Sequence, residues 1–108
     1  QIKQIYKDLG KMSEKYGVEL QVTEMDVVPS RDRNGKTLEE NLNNNSKQAI
    51  IWNTVFECAK KYDVKAFTGW GISDSLSWFP NIGCTMVNKN GEEKDFRKNL
   101  IKNKIIQY

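Results

Sequence analysis

The sequence predicts an α/β fold with parallel strands, and three observations lead there. Residues 17–28 and 64–72 read as strands, a helical segment joins them, and amphipathic helices flank the set on both sides. A strand, helix, strand connection of this length is a right-handed crossover between parallel strands. Both strands therefore finish at one rim, and whatever the chain does is expected to sit there.

Residues 1–16 form the first helix. Ile2, Ile5, Tyr6, Leu9, Met12 and Tyr16 recur at three-and-four spacing, with lysines, Asp8 and Glu14 between them. Gly10 weakens this helix by roughly 1 kcal/mol relative to alanine, but the apolar stripe runs past it. Gly17 is placed to stop the helix in a left-handed conformation. In the strand that follows, alternation puts Val18, Leu20, Val22, Glu24 and Asp26 on one face and Gln21, Thr23 and Met25 on the other. Two acids thus extend an apolar row. They read either as a site at the C-terminal rim of a sheet or barrel, or as the solvated end of a strand fading into a loop.

Pro29 ends the strand, and residues 30–45 form a polar loop with the turn dipeptide Asn34-Gly35 and the run Asn43-Asn44-Asn45. Loops of this length after a strand tend to carry function. Ser46 or Asn45 caps the next helix, whose buried stripe is Ala49, Trp52, Val55, Phe56, Ala59 and Tyr62, while Lys47, Lys60 and Lys61 stay wet. The second strand ends in Thr68-Gly69-Trp70-Gly71-Ile72-Ser73-Asp74-Ser75-Leu76-Ser77-Trp78. Its glycines let a ligand or another backbone come close. A turn at Asn90-Gly91 precedes a closing amphipathic helix with Phe96, Leu100, Ile101 and Ile105.

A chain of 108 residues is in the single-domain range. Its 17 basic and 14 acidic residues are dispersed, so the net charge of +3 argues for no polyanion, and the lysine-rich closing helix is a solvated face without a nucleic-acid motif. No apolar run approaches the roughly 20 residues of a membrane span, and no signal-peptide pattern opens the chain. Gln1 is not an initiator methionine, which suits a mature or cut product. Histidine is absent, which excludes a histidine-dependent mechanism within this chain, and Cys58 and Cys84 are too few for a closed zinc site. Cys58, beside Phe56 and Ala59, is expected to be a buried small hydrophobe. Its pairing with Cys84 stays open.

Carboxylates beside tryptophans at a strand rim suit a carbohydrate, whose C–H faces meet aromatic rings and whose glycosidic bond is cleaved by paired carboxyl groups. Leu20-Gln21-Val22-Thr23-Glu24-Met25-Asp26-Val27 resembles the nucleophile segment of glycoside hydrolase family 10 endo-1,4-beta-xylanases: apolar, Thr or Ser, Glu, apolar, Asp. Phe67-Thr68-Gly69-Trp70-Gly71-Ile72-Ser73-Asp74, with Ser77-Trp78, resembles the family's final barrel strand. The motifs occur in the family's order with the family's helix between them, and the resemblance covers nearly the whole chain.

The resemblance implies a (β/α)8 TIM barrel that hydrolyses xylan with retention, of which this chain is the C-terminal portion, the last two or so βα units, incomplete as a barrel on its own. It implies that Glu24 is the nucleophile, that Asp26 keeps it ionised, that Trp70 lies under the sugar at the cleavage subsite and that Trp78 roofs the glycone side. Xylan or a xylo-oligosaccharide is the implied substrate, the remainder of the barrel the implied partner, and a secreted location goes with both; no cofactor, metal, nucleic acid or membrane is implied. The family's acid/base glutamate, its preceding asparagine and the histidine beside the nucleophile have no counterpart here, and Glu39-Glu40 lacks the acid/base context. Met25 replaces the usual leucine, a volume-conserving change, and Asn90-Gly91-Glu92-Glu93-Lys94-Asp95 replaces the family's proline-containing stretch. The isolated chain is expected to be inactive. Two other readings compete: a non-catalytic carbohydrate-binding remnant keeping Trp70 and Trp78, and a free-standing α/β interaction domain.

Overall fold

The computed structural model describes residues 1–35, 46–80 and 82–103. Glu39, Glu40, Ile105 and the asparagine run lie outside them. In order, the described elements are helix α1 (Ile2–Tyr16), strand β1 (Gln21–Val22), helix α2 (Lys47–Lys61), strand β2 (Ala66–Phe67), a 3-10 turn (Asp74–Leu76) and helix α3 (Asp95–Lys102). The helices fall where their periodicity places them. Gly17 ends α1 at φ 62°, its N–H donating to Ser13 O, and Ser46 caps α2 by accepting from Ala49 N.

β1 and β2 pair in parallel, with Gln21 opposite Ala66 and Val22 opposite Phe67. The regular strands are much shorter than the strand-like runs 17–28 and 64–72. Thr68 N donates to Val22 O at 2.8 Å, and an unbroken ladder would next bring Trp70 N to Glu24 O; it donates instead to Met25 O at 2.7 Å. The first strand therefore holds one extra residue between Val22 and Met25, a bulge that ends regular pairing and shifts the alternation.

That shift corrects the expected row. Val22 shares a face with its partner Phe67, which packs on the core, and strict alternation would send Glu24 and Asp26 inward with it. Met25 and Val27 pack on the core instead. Glu24 is exposed and Asp26 half-buried, on the opposite face from the apolar set they were expected to extend. Nor is the start of that row buried, since Val18 is exposed.

The core is Val27, Ala49, Trp52, Phe56, Phe96 and Leu100, with Met25, Ile51, Phe67 and Met86 against it. Stacked rings link its layers: Trp52 lies 5.9 Å from Phe56 and 6.2 Å from Phe96, and Phe56 lies 4.3 Å from Phe67. Helix α1 contributes no buried residue; Ile5, Leu9, Met12 and Tyr16 stay exposed. It meets the end of α2 at Gly10, where an added Cβ would lie 2.7 Å from Tyr62 Cδ1. The helix-weakening glycine leaves room for that ring. Cys58 and Cys84 are both buried and both free thiols.

Below the rim lies a buried polar cluster. Lys94 Nζ sits 3.0 Å from Asp74 Oδ2 and donates to Gly83 O at 2.9 Å, while Gln48 Nε2 donates to Val27 O at 2.7 Å and also to Gly83 O. Asp74 Oδ1 accepts from Thr85 N and Thr85 Oγ1, both at 2.9 Å. Burial pushes the Lys94 ammonium below its ordinary pKa, and the contact with Asp74 opposes that shift. The cluster ties β1's exit, α2, the 3-10 turn and the start of α3 together.

Two outcomes follow for urea denaturation. Lys94→Met leaves Asp74 buried without its partner and should lower stability by about 3–5 kcal/mol, whereas Lys65→Met, at the exposed pair with Asp63, should leave the midpoint in place. Gly10→Ala should destabilise the protein despite alanine's helix preference of about 1 kcal/mol; with Tyr62→Ala in the background the same change should stabilise it.

Candidate functional site

The rim is built by the exits of the two strands. The bulge turns Glu24 outward, and its carboxylate makes no hydrogen bond or ion pair with the described residues. Two positions on, the Asp26 carboxylate accepts a hydrogen bond from Trp78 Nε1. That bond joins the ends of the two sequence motifs, fifty-two positions apart. Trp70 follows β2, its backbone held to Met25, its side chain 47% exposed; Trp78 is 62% exposed. All four residues singled out from the sequence are thus at one rim. Asp26 and Trp78 are in contact there, while Glu24 and Trp70 are linked through neighbouring backbone.

Glycine has a steric role at one rim position. Gly71 has φ 95°, and an added Cβ would meet Thr85 Cγ2 at 3.2 Å. The chain turns there from Trp70 towards the 3-10 turn, where Asp74 is anchored by Lys94 and Thr85. The Trp78 backbone follows within a few residues of that anchor, so the buried cluster fixes where the indole starts.

Behind the rim, Cys84 is fully buried. Its thiol pKa is raised first by burial, then by the charges of Asp26 and Asp74. It is a packed thiol rather than a nucleophile. Under Trp70 lies a cavity of about 200 Å3 whose lining includes Met25, Trp52, Gly69, Gly71 and Arg97. The buried Trp52 indole N–H has no acceptor among the described residues. No cluster of three or more metal-ligating side chains occurs among the described residues, and no helix there is long and apolar enough to cross a membrane.

Sequence reasoning missed two features of this region. Gln48 and Lys94 are buried, although polar; the signal for Gln48 was its place four residues before Trp52, on the apolar stripe of α2. The second is Arg31, whose guanidinium lies 5.1 Å from the Phe79 ring centre, with Phe79 in turn 5.3 Å from Trp78. No local spacing announces a contact between loops so far apart in the chain.

Carboxylates beside exposed indoles are the equipment of a glycoside hydrolase: acids for the glycosidic bond, flat apolar faces for the sugar. Residues 1–103 match the family model of glycosyl hydrolase family 10, and the chain belongs to that family. Its members are TIM barrels whose usual activity is xylan hydrolysis, and the mixed helix and strand composition here agrees with that architecture. No curated protein matched the chain in sequence comparison.

The three tryptophans should separate spectroscopically. Acrylamide should quench most emission from Trp70 and Trp78, and Trp70→Phe/Trp78→Phe should leave a blue-shifted, protected signal from Trp52, which is 1% exposed. Emission of the double variant that quenches as readily as wild type would contradict the described burial.

Proposed function

We propose that this chain is the C-terminal segment of a single family 10 catalytic barrel and that it supplies the nucleophile of a retaining endo-1,4-beta-xylanase. The observation that carries the reading is the outward, unpaired Glu24 carboxylate beside an Asp26 held by Trp78. Glu24 attacks the anomeric carbon from one face of the sugar, the glycosidic oxygen leaves with a proton from an acid on the other, and water then releases the glycosyl-enzyme. Asp26, fixed by the indole N–H, orients the segment that carries Glu24. Trp70 and Trp78 receive sugar faces.

Asp26 does not serve as the second catalytic carboxyl. Retention requires two carboxyl groups flanking the glycosidic bond from its two sides, whereas Glu24 and Asp26 leave the same strand on the same face. The acid/base group therefore comes from elsewhere in the barrel, and the 108-residue chain alone is inactive. Two short parallel strands and the uncovered stripe of α1 support incompleteness: a barrel of this type takes about 250 residues and covers such faces. Secretion belongs to the same proposal, since a polymeric substrate has to be met outside the cell.

In the full-length protein, Glu24→Gln should reduce xylan hydrolysis on the order of 10^3-fold or more while xylo-oligosaccharide binding persists. Activity within tenfold of wild type would remove Glu24 from the nucleophile's role.

A further inference from the structure

We propose that Arg31, set on the Phe79 ring beside Trp78, binds the carboxylate of an acidic sugar substituent on the polysaccharide, so that the site favours a xylan bearing uronic acid side groups over a neutral one. This rests on the reading of the Trp70–Trp78 rim as the xylan-binding surface.

The placement is the first reason. Arg31 lies just past the strand exit that carries Glu24 and Asp26, and its guanidinium carbon sits over the Phe79 ring, 5.1 Å from the ring centre. Phe79 is tilted by 56° against Trp78 at 5.3 Å. Asp26, Trp78, Phe79 and Arg31 thus form a continuous series from the carboxylate to the cation. A sugar resting on the exposed Trp78 face brings its side groups towards the neighbouring ring and its guanidinium.

The second reason is charge. Arg31 is exposed, and it forms no ion pair with the described residues. The rim carboxylate of this series, Asp26, is already engaged by Trp78 Nε1. An exposed cation without an ion pair among the described residues presents its N–H donors to an incoming carboxylate. Contact with an aromatic face restricts the guanidinium, and its fork of N–H donors can make two parallel N–H···O bonds, the geometry that suits a carboxylate. A neutral xylose hydroxyl would use neither the charge nor the fork.

The test compares the full-length wild type with Arg31→Gln on two substrates of matched length: linear xylo-oligosaccharides and xylo-oligosaccharides carrying a uronic acid branch. The ratio of kcat/KM, branched over linear, should fall about tenfold in the variant, the size expected for loss of one charge-assisted pair. Reducing the branch carboxyl to an alcohol should lower the wild-type ratio by a similar factor, and added salt should erode it. A ratio unchanged by Arg31→Gln or by carboxyl reduction overturns the assignment. A wild type inactive on both substrates overturns the xylanase reading itself, and the Arg31 assignment with it.

Discussion

An ammonium and a carboxylate buried together tie the 3-10 turn to the start of α3, and the same cluster reaches α2 and the exit of β1. Lys94 comes from the threshold of α3, Asp74 from the 3-10 turn, and Gln48 from α2 reaches through the same cluster to the backbone of Val27. Each group is costly to bury alone, and each is acceptable because the others occupy its hydrogen-bonding positions. The polar cluster adds directional constraints to those of apolar packing. It therefore sets the position of the rim above it.

The rim depends on a second constraint, the extra residue between Val22 and Met25. A strand that faces helices on one side and a site on the other has to divide its residues between two environments. The bulge makes the division at the point where it matters: Met25 and Val27 complete the core with Trp52 and Phe56, and Glu24 and Asp26 are left on the other face. Trp78 then secures Asp26 from the neighbouring strand's exit. Packing on one side and a free carboxylate on the other result from the same backbone irregularity.

The helices, Gly17 and the Ser46 cap were legible in the sequence because they are local: 3.6-residue periodicity and cap chemistry involve neighbours in the chain. The four rim residues were legible because two motifs in order carry more information than any one spacing. The bulge was not legible. Alternation continues through it in the sequence, and only the hydrogen-bond partner of Trp70 reveals the extra residue. Strand length was overestimated for a related reason, since residues 17–28 and 64–72 have strand-like side chains along their whole length but find backbone partners over only part of it. Lys94 and Gln48 were hidden by type, as polarity usually means exposure. Gly10 reads in the sequence as a weak helix residue, and the Tyr62 ring that occupies the space beside it is far along the chain.

The bulge also bears on how this segment can change over evolutionary time. Substitutions at Glu24 or Asp26 alter the chemistry and leave the backbone path alone. Loss of Thr23 would close the bulge: Val22, Met25 and Val27 would alternate regularly on the core face, and Glu24 and Asp26 would stay on the other. Loss of Asp26 would instead turn Val27 out of the core. Tolerance of a changed length therefore differs along the segment and is greatest at the bulge itself.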